Sequence, residues 1–267
     1  MKNKSFIDSI SNFLKSFFDD KNFLRDNLTP IHPTGYPFIL IFCISALLIG
    51  ALSDFLGWLG LIITAWCVYF FRDPIRIPPK EDSLIVSPAD GRILDIKKAT
   101  PPDELGHNKE MTKVSIFMNV FNVHVNRIPV SGKIVDLKYE PGSFFNASFD
   151  KASKYNERMS VKLNLKNNVD VFFVQIAGLI ARRIKCDLKL NQTVKSGEKY
   201  GIIRFGSRVD LYLPTNFTIN ILKGQTMIGG ETVIANIPKN SKKISSEKDK
   251  IPKKVRNSSK VKTISKK

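Results

Sequence analysis

The residues best suited to chemistry in this sequence are a serine that follows a glycine and two groups that can move protons. Ser207 lies in IIRFGSRVDLYLP (202–214), which has the pattern of two β-strands interrupted at Gly206 and Ser207. A turn explains the pair equally well, because glycine and serine are common turn residues. A serine hydrolase would use the same hydroxyl directly, but the GxSxG turn of such enzymes is missing.

The two groups that can move protons are a histidine and an aspartate. His124 falls in the β-like run 121–127, where alternation predicts that it shares a polar face with Asn122 and Asn126. Histidine titrates near neutral pH and therefore suits acid and base steps, although a hydrogen-bonded strand histidine is the plainer interpretation. Asp90 precedes a glycine, as in an ordinary Asp-Gly turn.

The elements that must position these groups follow a long apolar stretch. Residues 38–71 number 34 and carry one charge, Asp54. Split at that point, they form two runs of about 25 Å each as helix, which predicts a tight helical hairpin that spans or enters a membrane. Basic residues follow at 72, 76 and 80, which predicts a cell-membrane protein with its catalytic part on the cytoplasmic side.

From about residue 83 the sequence changes to short β-rich runs separated by Gly, Pro and Asn. No helical pattern alternates with these runs, so an antiparallel sandwich or barrel-like domain is favoured over a parallel sheet. The fold class is therefore mainly β with an N-terminal apolar helical hairpin. Strands are predicted at 114–119, 121–127, 132–138, 169–177, 202–205, 209–213, 217–222 and 232–237.

The net charge of +18 is concentrated at one end of the chain. Residues 239–267 hold twelve Lys or Arg against Glu247 and Asp249, and no aromatic residue. This composition predicts a disordered, solvated tail, which either only aids solubility or is attracted to anionic lipid. A nucleic-acid partner is disfavoured, because no RNA-binding motif accompanies the charge.

Four domains follow from these patterns: an amphipathic segment 1–36, the hairpin 37–71, a β-rich domain 72–238 and the tail 239–267. The amphipathic helix at about 5–23 is suited either to a membrane surface or to packing on its own protein. The three cysteines form no CxxC and no Cys/His cluster with metal spacing, and no glycine-rich phosphate loop is present, so neither a metal nor a nucleotide cofactor is predicted.

Four motifs surround the Gly-Ser pair in a fixed order: SPADGRI (87–93), NVFNVHVNRIPVSGKI (119–134), AGLIARRI (177–184) and GETVIA (230–235). Together with FRDP (71–74), directly after the apolar stretch, they resemble the phosphatidylserine decarboxylase family, and especially its short, archaeal-type form. The resemblance covers about residues 31–237. No single motif is as specific as the ordered set.

The resemblance implies a proenzyme that cuts its own backbone between Gly206 and Ser207. Attack of the serine hydroxyl on the glycine carbonyl would exchange an amide for an ester. Elimination, hydrolysis and loss of ammonia would then leave a pyruvoyl group at position 207. The product would be a heterodimer of fragments 1–206 and 207–267, expected to stay together because the cut falls between adjacent strands of one sheet.

The family's chemistry implies how the pyruvoyl group would act. Its ketone would form a Schiff base with the amine of phosphatidylserine, and this would withdraw the electrons released as CO2 leaves, giving phosphatidylethanolamine without an external cofactor. Within the same resemblance, Asp90 matches an aspartate that orients a base, and His124 matches the first histidine of an HxxH pair.

The chain departs from the longer family members at the second position of that pair, which is Arg127. His124 is therefore expected to act in decarboxylation, while the group that activates Ser207 stays open. Arg127, Arg182 and Arg183 are candidates for contacting the lipid phosphate, because a guanidinium suits that oxyanion. The alternatives to a decarboxylase are a membrane-anchored serine hydrolase and a non-enzymatic β carrier or scaffold module.

Overall fold

A computed structural model describes residues 10–11, 29–143, 145–149, 152–178, 183–204 and 206–238. Most of the predicted amphipathic segment, Arg182 and the basic tail lie outside the described residues. The helices are α1 (Tyr36–Gly50), α2 (Asp54–Phe70) and α3 (Ala152–Tyr155), with 3-10 turns at Pro33–Gly35 and Asp103–Leu105.

Fourteen strands make up the rest of the regular structure that is described. They are β1 (Leu84–Val86), β2 (Gly91–Ala99), β3 (Met111–Met118), β4 (Val125–Arg127), β5 (Gly132–Glu140), β6 (Arg158–Asn164), β7 (Asp170–Ala177), β8 (Ile184–Cys186), β9 (Thr193–Val194), β10 (Lys199–Ile203), β11 (Ser207–Leu213), β12 (Thr218–Ile219), β13 (Thr226–Met227) and β14 (Val233–Asn236). The prediction of a mainly β fold with an N-terminal helical hairpin is confirmed.

The strands form three sheets, and every pairing between named strands is antiparallel. The largest has eight strands in the order β13-β2-β3-β11-β7-β6-β5-β9. The two smaller sheets have the orders β4-β10-β8 and β1-β14-β12. The main core includes residues from all three sheets, such as Ile116, Ile203 and Ile234, so the sheets pack face to face around it.

The hairpin has an apolar exterior and a buried base. Helix α1 with its preceding turn, Pro33–Gly50, is long and apolar enough to cross a membrane, and α2 is a shorter apolar helix. Large apolar side chains such as Leu48, Leu52 and Phe55 are exposed. The two helices are close at Gly60, where a methyl group would lie 2.7 Å from the Cβ of Ala46.

The base of the hairpin packs on the β domain through a second apolar cluster. This cluster joins Cys67, Phe70 and Phe71 to Val125 of β4 and Ile202 of β10. Ring stacking of Phe71 on Phe38, with centroids 5.6 Å apart, ties α1 to the end of α2. The helices are therefore packed directly against the strands that lead to Gly206 and Ser207.

Candidate active site

The Gly206-Ser207 step connects two sheets. Strand β10 pairs with β4 and β8, whereas β11, which begins at Ser207, lies between β3 and β7 of the eight-stranded sheet. The prediction that the cut falls between adjacent strands of one sheet is therefore wrong. The chain changes sheets here because a left-handed residue, Gly206 at φ +70°, interrupts it.

The backbone angle of Gly206, and not crowding around it, explains why this residue is a glycine. A Cβ added at this position would meet no atom within 4 Å. The left-handed conformation is unfavourable for residues that carry a Cβ, and glycine adopts it freely. This residue therefore stores no strain of its own while it turns the chain into β11.

Ser207 is completely buried at the start of β11. Its Oγ lies 3.8 Å from the sulfur of Met118, the residue paired with it on β3. The same sulfur accepts a hydrogen bond from Asn126 Nδ2 at 3.5 Å, and Asn126 Oδ1 accepts one from Gln175 at 2.8 Å. A small buried cluster of hydrogen-bonded side chains, made of Met118, Asn126 and Gln175, therefore lies next to Ser207 between the two sheets.

His124 lies next to the Gly-Ser step. Its Nδ1 is 2.9 Å from the carbonyl oxygen of Asn122, which can only accept, so Nδ1 carries the proton. The other nitrogen, Nε2, accepts a hydrogen bond from the backbone N–H of Gly206 at 3.4 Å. This geometry leaves an unprotonated ring nitrogen directed toward the residue before Ser207.

The environment of His124 keeps the imidazole neutral. Burial lowers its pKa to about 4, the Asn122 hydrogen bond opposes that effect, and the charge of Arg72 adds to it. The ring of Phe70, the last residue of α2, packs against the imidazole with centroids 4.3 Å apart and ring planes tilted by 33°. The helical hairpin therefore forms one wall of the candidate active site.

The predicted placement of His124 on the polar face of a strand is wrong. The strand begins at Val125, and His124 is completely buried. Asn119 and Asn122 cause the difference, since their side chains accept hydrogen bonds from the backbone N–H groups of Phe121 and Asn119. Such local bonds replace the ladder of a strand with a turn.

Asp90 is held by partners other than His124. Its Oδ2 is 2.9 Å from Arg76, and its Oδ1 accepts a hydrogen bond from the N–H of Gly229 at 2.7 Å. Burial raises the pKa of this carboxyl, while the Gly229 hydrogen bond and the charges of Arg76 and Arg72 lower it. Arg72 thus lies within electrostatic range of both predicted proton-moving groups.

Arg127 is buried and its guanidinium is occupied by the protein itself. The two terminal nitrogens donate to the carbonyls of Gly197 and Pro74, at 3.0 and 2.8 Å. Asp73 lies 3.8 Å away, and a methyl group at Gly230 would press on Arg127 Cδ. These contacts favour a structural role, in which Arg127 joins the FRDP motif to the GETVIA motif.

Two arginines, Arg183 and Arg204, have no acidic partner in the described contacts. Arg183 is exposed. The pKa of Arg204 is lowered first by the burial of Arg204 itself and then by the positive charge of Arg183. Arg204 lies over the ring of Phe38 at 5.2 Å, and within the described part of the chain its buried Nε has no hydrogen-bond partner. Sequence reasoning missed Arg204, although a cation three residues before the serine is visible in RFGS.

Comparisons with known proteins point to one family. A family model described as phosphatidylserine decarboxylase matches residues 63–235. Proteins named phosphatidylserine decarboxylase proenzyme from Rickettsia akari, Rickettsia rickettsii (strain Sheila Smith) and Rickettsia typhi are each 58% identical over 207 residues, which is 77% of this chain and 90% of each relative.

Within the residues described, no group of three His, Cys, Asp or Glu side chains could hold a metal ion.

Proposed function

Because this chain belongs to the phosphatidylserine decarboxylase family and is a decarboxylase made as a proenzyme, we propose that its reactive carbonyl is a pyruvoyl group formed from Ser207. The observation that carries this proposal is the position of the serine. Ser207 is completely buried at a sheet-to-sheet crossing, and Gly206 before it has a backbone that only glycine adopts freely.

Self-cleavage would begin with attack of Ser207 Oγ on the carbonyl carbon of Gly206. The C–N bond breaks, the nitrogen of Ser207 takes a proton, and an ester joins the two fragments. Loss of the α-proton of Ser207 then expels the Gly206 carboxylate. Addition of water and release of ammonia complete the conversion, so that the balance is one water consumed and one ammonia released.

In the mature enzyme the pyruvoyl ketone supplies an electron-withdrawing carbonyl that condenses with the substrate amine. His124 is the candidate for the group that returns a proton to the α-carbon after CO2 leaves, since its Nε2 lies beside Gly206. This nitrogen is unprotonated at rest, so it must first take up the proton that it then passes on. Asp90 would act at a distance: it binds Arg76 and the N–H of Gly229, and the charge of Arg72 acts on both Asp90 and His124.

The substrate phosphate would be bound by arginines at the mouth of the site. Arg183 and Arg204 are supported by the free Nε of Arg204 and by their mutual electrostatic effect; Arg182 is a further candidate from the sequence alone. Arg127 is a weaker candidate, because its nitrogens already donate to backbone carbonyls. A guanidinium with an open donor gains most from a phosphate oxygen.

Helix α1 together with its preceding turn is apolar and long enough to cross or anchor to a membrane. We place the enzyme at the cell membrane with the β domain on the cytoplasmic side, and with the basic tail near anionic lipid. The contact of Phe70 with His124 supports this arrangement, because it puts the site next to the hairpin that would hold the protein at its lipid substrate.

The two fragments would remain together after the cut. Strand β11 of the small fragment lies between β3 and β7 of the large one, and the side chain of Arg208 also donates to Ser115 Oγ at 2.9 Å. A central strand with two partners is more firmly held than an edge strand.

Denaturing mass spectrometry of the purified chain beside a Ser207→Ala variant tests the proposal. We expect two fragments that meet after residue 206, with the smaller one blocked by pyruvoyl, and an uncut variant. The cut preparation should release CO2 from phosphatidylserine in detergent micelles, and the variant should not. A folded wild-type chain that stays in one piece would overturn the pyruvoyl assignment.

A further inference from the structure

We propose that Gly178 is a positioning residue for self-cleavage, because its bare α-carbon holds the carbonyl group of Gly206 in place for attack by Ser207. The inference rests on the proposed conversion of Ser207. Neither the turn at Gly206 nor the polar groups around Ser207 explain why position 178 is a glycine.

The contact is between the two glycines of different motifs. A methyl group built on Gly178 would overlap the carbonyl oxygen of Gly206 and lie 2.9 Å from its carbonyl carbon. The hydrogen on that side of the Gly178 α-carbon therefore points at the carbonyl oxygen. Contacts of this kind between Cα–H and carbonyl groups are weakly attractive, so the scissile carbonyl has a defined support.

Gly178 is itself held in place by a clamp on the preceding residue. The N–H of Ala177 donates to the carbonyl of Glu157 at 2.9 Å, and the carbonyl of Ala177 accepts from Asn156 Nδ2 at 2.7 Å. Asn156 is completely buried. Both backbone groups of Ala177 are thus fixed on the side away from β11, which sets the position of Gly178.

The strand register brings this clamp to the reacting atoms. Ala177 is the residue of β7 that pairs with Ser207 on β11. The residue after Ala177 must therefore lie across from the residue before Ser207, which is the Gly178 to Gly206 contact. The methyl of Ala147 lies 3.4 Å from the same point, which is ordinary van der Waals contact, so the clash of an added methyl is with Gly206.

The two glycines differ in what a substitution would do. At Gly206 an added methyl would find open space and meet only backbone strain. At Gly178 it would displace the carbonyl that Ser207 Oγ must reach. A misplacement of about 1 Å in a reacting group reduces a rate by about 100-fold. We therefore expect Gly178→Ala to slow self-cleavage by about 100-fold while the fold persists.

Gly132→Ala is a matched control for crowding. Its methyl would meet the carbonyl oxygen of Asn164 at 2.6 Å, also a backbone clash at a strand end, but on β5, three strands from β11 in the same sheet. The full chains are synthesised in the presence of detergent micelles. Fragment formation is followed by denaturing mass spectrometry, and thermal unfolding is measured on the uncut Ser207→Ala background.

The expected result is slow cutting in Gly178→Ala and near wild-type cutting in Gly132→Ala at similar losses of thermal stability. A second measurement separates positioning from general damage. Once cut, the Gly206 carbonyl has become a carboxylate that no longer reacts, so decarboxylation per pyruvoyl group in the cut fraction of Gly178→Ala should stay within about threefold of wild type.

Cutting of Gly178→Ala at the wild-type rate, or equal slowing in both variants, would overturn the proposal. If Gly178→Ala does not fold, the Asn156→Asp variant is tested instead, because it removes the hydrogen-bond donor to the Ala177 carbonyl without adding atoms beside Gly206. Slower cutting of Asn156→Asp would support the positioning role of Gly178, and cutting at the wild-type rate would refute it. A wild-type chain that never cuts would instead refute the pyruvoyl assignment.

Discussion

Replacement of Phe70 by alanine should raise the pKa of His124 from about 4 toward its ordinary value. Burial is the largest cause of the low pKa, and the Phe70 ring covers the imidazole at a centroid distance of 4.3 Å. Without the ring, water reaches the imidazole and stabilises its charged form. We expect a rise of at least one pH unit, which corresponds to about 1.4 kcal/mol.

The chain is well suited to a direct titration, because it has three histidines. Histidine labelled with 13C and 15N, in the uncut Ser207→Ala background, gives three sets of NMR signals that His32→Gln and His107→Gln variants assign. Phe38→Ala is the control, since Phe38 belongs to the same apolar cluster but stacks on Phe71. An unchanged His124 pKa in folded Phe70→Ala, or an equal rise in Phe38→Ala, would refute the reasoning.

The same shift has a consequence for stability. In the folded chain His124 stays neutral down to a pH of about 4, whereas an unfolded histidine takes up a proton below about 6.5. The unfolded state therefore binds more protons between these values, and stability falls as the pH falls through that window, by up to about 3 kcal/mol. Phe70→Ala should bring the folded pKa of His124 closer to the unfolded one, so less stability is lost between pH 7 and pH 5. Denaturant unfolding at these two pH values would measure the difference in the free energy of unfolding.

Three further outcomes follow from the site geometry. Gly206→Ala on the Ser207→Ala background should lower stability by about 1 kcal/mol, because φ +70° is costly for alanine; a thermal midpoint equal to that of Ser207→Ala alone would contradict it. Arg127→Leu should cost about 2 kcal/mol in denaturant unfolding, since one buried and one partly buried carbonyl lose a charged donor, and full stability would argue against its structural role. Arg204→Gln should raise KM for phosphatidylserine at least tenfold with little change in kcat; an unaltered KM would remove it from phosphate binding.

The sequence alone predicted the features that depend on local pattern. The apolar run interrupted near Asp54 became the hairpin α1–α2. The β-rich runs 132–138 and 169–177 became β5 and β7 with bounds shifted by one or two residues. These predictions succeed because strand-forming residues and the Gly, Pro and Asn between them are local signals.

Alternation failed around His124, where two layers cover the same residues. The polar side chains of His124 and Asn126 were predicted to share the polar face of one strand; His124 instead precedes the strand, and both side chains are completely buried. Phe70 covers the imidazole, and Gln175 satisfies the Asn126 amide from another sheet. A pattern of period two cannot show whether a polar face meets water or a second polar layer.

At the Gly206-Ser207 step, some features could be predicted from the sequence and others depend on the tertiary structure. The order of motifs around residues 206 and 207 predicted which bond reacts, because residue types and order along the chain are local information. Which sheet each side of the bond joins, which side chains surround Ser207, and why Gly178 has no side chain were decided by contacts between residues about 30 to 90 positions apart. Such contacts depend on how strands pair across sheets, and pairing is a property of the folded chain as a whole.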